Sequence, residues 1–151
     1  MSSLQSSPAR SRERAVAFDA DLVFLRRFAG PIVLLSRAMM ATIFIVEGLG
    51  KIMSYAGVAD YMRQHGVVSA VLPLVILTEL GGGLLVLVGF KTRWASVALA
   101  GFCLLTAIIF HLASGETIEF QKNVAMAGGF LVLAAFGPGA WSIDGRLGRA
   151  E

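Results

Sequence analysis

Glu79 lies in LPLVILTELGGGLLVLVGF, with no second charge within a helical turn of it. A carboxyl in so apolar a run suits a proton relay, or a site that hydrogen-bonds a ligand headgroup. The plainer reading is an interhelical hydrogen bond that holds a bundle together. One run earlier, FIVEGLGKI carries Glu47 and Lys51 four residues apart with the acid first, the favoured order for an intrahelical pair. Such a pair can neutralise itself while the lysine reaches towards the interface. It can also form part of a polar cavity. His111 ends GFCLLTAIIFH, and Lys122 and Asn123 open the last apolar run. An imidazole can exchange protons in the physiological pH range, so proton exchange is among the roles open to His111. Arg37 is the remaining ionisable residue inside an apolar run.

The elements that must position these groups follow from composition. Of 151 residues, 56% are hydrophobic and only 15% charged, and the mean hydropathy is +0.75. A soluble domain carries about a quarter charged residues. The deficit is concentrated in runs at 31–52, 67–90, 94–113 and 123–141. Each approaches the roughly 20 residues a helix needs to cross the hydrocarbon core. The runs are continuous and not alternating, which favours helices over strands. The expected fold is therefore all-α: an integral membrane four-helix bundle over residues 31–144, flanked by an N-terminal tail (1–30) and a short C-terminal tail (145–151).

Basic residues orient it. Arg10, Arg12, Arg14, Arg26 and Arg27 precede the first run, Lys91 and Arg93 lie between the second and third, and Arg146 and Arg149 follow the fourth. The other connections hold Arg63 and Lys122 among Asp60, Glu116 and Glu119. The positive-inside rule puts both termini in the cytoplasm. Glu47, Lys51, His111, Lys122 and Asn123 then gather in the outer half of the bundle, with Glu79 near the midplane and Arg37 towards the inner face. The first dozen residues, Ser- and Arg-rich, read as disordered. Phe18, Leu22, Leu25 and Ala29 follow helical spacing and suggest a short interfacial helix. The stretch SYAGVADYMRQHGV, with Tyr55, Val58, Tyr61 or Met62, and His65 along one side, reads as an interfacial helix over the cavity or as a plain connector.

Several functions have no support. Cys103 is the single cysteine, so the chain is no self-contained dithiol oxidoreductase, and the thiol reads as packing. His65 and His111 stand on different segments, without HxxxH, CxxC or ExxH spacing, so no metal site is expected. No aromatic-basic pattern points to nucleic acid, and the net charge of +3 is a topology signal.

Taken together, R-x-x-x-A-x-x-F-x-x-E-G-L-G-K-I from Arg37, LPLVILTELGGGLLVLVGFKTR, GFCLLTAIIFH, FQKNVAMAGGFLVL and FGPGAWSID resemble the DoxX family of small bacterial inner-membrane proteins. The resemblance covers about 37–144. It implies a four-helix membrane bundle, multi-pass in the inner membrane. It also implies company with redox systems, since relatives are membrane subunits beside quinone-linked sulfur oxidation or oxidative-stress enzymes. It supplies no catalytic residues, so none is assigned.

The leading expectation is a redox-associated subunit whose outward polar cavity, built from Glu79, Glu47, Lys51, His111, Lys122 and Asn123, binds a quinone or similar lipophilic ligand. Without a haem-ligand pair, flavin motif or dithiol, its electrons must come from a redox-enzyme partner or a bound substrate. A non-enzymatic scaffold or assembly subunit is the alternative, with a small proton-coupled carrier third. Besides the lipid bilayer, a redox enzyme or a second copy of the chain are the expected partners.

Overall fold

A computed structural model of the chain describes residues 8–112 and 114–148, and every regular element among them is helical. Helix α1 spans Pro8–Met53 and passes through Pro31 without a break. The segment expected to form a separate interfacial helix is thus continuous with the first apolar run. Of the expected disorder, residues 1–7 lie outside the described residues, and 8–12 are helical. A short amphipathic helix, α2, covers Tyr55–Gln64. Helices α3 (Ser69–Val88) and α4 (Thr92–Leu112) make the central hairpin, and α5 (Thr117–Phe136) returns. A last turn, α6, is Ile143–Leu147.

Among the described residues, α3, α4 and the Arg27–Met53 part of α1 are long and apolar enough to cross a membrane. Helix α5 has the length, at 20 residues, but opens on the polar turn TIEFQKN. It starts before the expected 123 and stops where Gly137 takes φ +83°.

The four long helices pack through small residues and aromatic contacts. Phe44 of α1 meets Phe130 of α5 edge to face, with ring centroids 5.2 Å apart. Ala41, Leu99, Ala100, Cys103 and Ala127 fill the space around them, so the thiol is packing, as its surroundings implied. In lipid, close approach of backbones replaces the hydrophobic drive of water. Gly83 provides it: a Cβ there would lie 3.1 Å from Ile45 Cγ1 and 3.2 Å from Phe44 Cβ. Gly83→Val should therefore lower the thermal unfolding midpoint in mild detergent, by the equivalent of roughly 1–3 kcal/mol for overpacking. An unchanged midpoint would contradict the contact.

The end of the bundle opposite Lys51 is tied by its polar residues. Gly89 and Lys91 take left-handed conformations, φ +73° and +48°, to turn α3 into α4. Asp144 caps α4 from a distance. Its carboxylate accepts from the N–H groups of Lys91 and Thr92, each at 2.9 Å, and from the Thr92 hydroxyl at 3.0 Å. Its own N–H donates to Gly89 O at 2.8 Å. Arg93 Nη1 donates to the carbonyls of Ala134 and Ala135, satisfying the end of α5. Arg37, buried to 1% exposure, donates from Nη2 to Trp141 O at 2.5 Å. Arg37 is thereby a structural tie.

Candidate functional site

At the Lys51 end the helices spread around a cavity of about 290 Å³. Glu47, Lys51, Glu79, His111, Lys122 and Asn123 all line it. They come from four helices: Glu47 and Lys51 on α1, Glu79 on α3, His111 on α4, Lys122 and Asn123 on α5. Val58, Tyr61 and Met62 of α2 close one side. The amphipathic segment is therefore a cap over the cavity, with Tyr61 stacked on Phe110 at 5.5 Å.

Two local departures from α-helix aim the polar groups. Residues Leu77–Gly81 and Ala107–Leu112 form wide turns of π-helical type. The first carries Glu79 and the second His111. Such turns are rare, interrupt the regular ladder and occur often at functional sites.

Lys51 is the pivot of the charges. Its Nζ lies 2.9 Å from Glu79 Oε2 and 3.3 Å from Glu47 Oε2. The Glu79 side chain is 6% exposed and that of Glu47 is 60%. One ammonium therefore serves two carboxylates, one buried and one open to the surroundings. The shorter contact is the one to the buried acid, Glu79, and the longer one goes to Glu47. The sequence pairs Lys51 with Glu47 alone; the crossing of α1 and α3 adds Glu79.

The other ionisable groups are also engaged. His111 Nδ1 is 2.6 Å from Glu116 Oε2, and Lys122 pairs with Glu119. Asn123 Nδ2 donates to Glu119 O at 3.0 Å, and its Oδ1 lies 3.5 Å from Thr106 Oγ1. Phe102, Thr106 and Phe110 form the α4 wall. Sequence reasoning missed this wall, although i, i+4, i+8 spacing marks one face of a helix.

The family model DoxX matches residues 32–112. The chain belongs to the DoxX family. The matched stretch holds α2, α3, α4 and the part of α1 that bears Glu47 and Lys51. In this DoxX protein the remaining wall, from α5, lies beyond it. Two curated relatives reach further. Inner membrane protein YqjF of Escherichia coli (strain K12) is 50% identical over 120 residues, covering 78% of this chain and 92% of the relative. Inner membrane protein YphA of the same organism is 36% identical over 129 residues, with the same coverage of each. No solved structure matches the chain.

Proposed function

We infer that this DoxX protein is an integral protein of the bacterial inner membrane whose cavity holds the headgroup of a lipophilic molecule, a quinone being the class that fits. The names of both relatives support the location. Basic residues at the Arg37 end support an orientation with that end, and both termini, in the cytoplasm. The cavity then opens towards the outer face, with α5 as the fourth span.

One observation carries the reading: a cavity with aromatic walls is lined by the Lys51–Glu79 pair, whose carboxylate is buried. Its volume is at the lower end of the ~300–1,000 Å³ usual for small-molecule pockets, room for a ring but not for a long tail as well. Lys51 can donate to a quinone carbonyl. Glu79 can accept a hydrogen bond or proton from the reduced form. Electrons come from a partner enzyme or a bound substrate, which makes the protein a redox-associated subunit.

The same ion pair joins α1 to α3, and that favours the second reading, a scaffold whose polar residues are interhelical glue. Glu79→Gln separates the two. In lipid nanodiscs, decylubiquinone should bind the wild type, and the variant should bind it about tenfold more weakly for the lost charge-assisted contact. Equal affinity for both forms sinks the quinone reading. A variant that binds normally but falls apart in detergent supports the scaffold. Native mass spectrometry of gently extracted protein checks the natural occupant.

A further inference from the structure

We propose that the cavity selects its ligand by charge, taking lipophilic ammonium cations and turning away anionic amphiphiles. The proposal rests on the cavity being a lipophilic-ligand site, and is independent of the quinone assignment.

The charges at the rim are unequal. Glu47, Glu79 and Glu119 face the cavity against Lys51 and Lys122, and His111 is held by Glu116 at its edge. Every lining cation already has a carboxylate: Lys122 has Glu119, and Lys51 has two. An incoming phosphate, sulfonate or carboxylate would have to break one of these pairs before it met a free positive group. An incoming ammonium breaks none. Lys51 is divided between Glu79 Oε2 at 2.9 Å and Glu47 Oε2 at 3.3 Å, so neither acid has a cation of its own. A second ammonium at Glu79 converts one cation shared by two acids into two complete pairs. Glu79 is also the acid that water cannot screen, since its side chain is 6% exposed.

The walls suit the same class. Tyr61 stacks on Phe110, and Phe44 meets Phe102 edge to face at 6.5 Å, so four aromatic rings line the cavity that Glu79 also lines. Aromatic faces attract cations, and more so when desolvated. Met62 and Met126 add polarisable, adaptable surface for an alkyl or aryl body.

The test uses one tail with three headgroups: octylammonium, octanol and octanoate, titrated into the full chain in phosphatidylcholine nanodiscs at neutral pH. Partitioning into empty nanodiscs is subtracted. Octylammonium should bind about tenfold more tightly than octanol, and octanoate more weakly than either. Glu79→Gln should bring octylammonium down to the level of octanol. Glu47→Gln, at an exposed position that tolerates change, leaves Lys51 wholly to Glu79 and should weaken octylammonium several-fold. Lys51→Met should strengthen octylammonium while weakening decylubiquinone, a reversal that general loss of structure would not produce.

Octanoate binding as tightly as octylammonium overturns the proposal, as does a Glu79→Gln chain that still prefers the cation. Octylammonium binding without decylubiquinone binding upholds it and removes the quinone reading. The opposite pattern, quinone bound and the three octyl compounds ranked equally, removes this proposal alone. No binding by any of the four compounds overturns both.

Discussion

Gly89→Ala is expected to destabilise the bundle by about 3–5 kcal/mol, among the largest effects of a single methyl group. Two costs coincide. The backbone at Gly89 is left-handed, with φ +73°, which strains an L side chain by roughly 1–2 kcal/mol. The added Cβ would also fall on Arg37 Nη1 and against Ser142 Cβ. Arg37 is 1% exposed and has little room to retreat. Moving it breaks its bond to Trp141 O and leaves a charged group unpaired away from water. Gly101→Ala is the control, because nothing lies within 4 Å of a Cβ there. In a helix interior it should be neutral, or stabilising by up to about 1 kcal/mol. Thermal unfolding in one detergent compares the two. Equal midpoints would mean that the Gly89 turn is not a packed joint.

Asp144→Ala should cost about 2–4 kcal/mol, because three donors lose one carboxylate: the N–H groups of Lys91 and Thr92 and the Thr92 hydroxyl. The effect should also depend on pH. Partial burial pushes the Asp144 pKa up, but hydrogen bonds from the Thr92 and Lys91 backbones and the Thr92 hydroxyl, with the Lys91 charge nearby, outweigh it and hold the group below its ordinary value. A depressed carboxyl stabilises the fold fully above its unfolded pKa, about 3.9, and loses that contribution as pH falls through the lower folded value. The gap between wild type and Asp144→Ala should therefore be widest near neutrality and narrow below about pH 4. Unfolding midpoints across pH 3–7, taken as differences between the two chains, read it directly. A gap that does not change with pH would show that the carboxylate's charge plays no part in the cap.

The helices were legible because lipid demands long unbroken apolar runs, and those runs lie plainly in the sequence. The convergence of Glu47, Lys51, Glu79, His111, Lys122 and Asn123 was legible too, because alternating helix direction fixes depth. Partnership was not. Whether Lys51 faces Glu79 depends on the rotation of α3 about its axis, and a wide turn at Leu77–Gly81 that no residue type announces helps to set it. The tie at the far end was not legible for a related reason. FGPGAWSID holds the glycines and proline of a helix stop, and α5 does end at Phe136, yet its Asp144 also caps the α3–α4 turn. A side chain that caps a helix 52 residues earlier leaves no local pattern.

That distance gives the molecule an order of assembly. Chains emerge from the ribosome N-terminus first, at about 5–20 residues per second. When the α3–α4 turn itself is made, the carboxylate that closes it, 52 residues beyond Thr92, has still to follow. Helix α5 and the last turn must follow before Asp144 can reach Lys91 and Thr92, so the hairpin waits unlatched for several seconds. A chain cut short before residue 144 would lack the carboxylate that caps the α3–α4 turn.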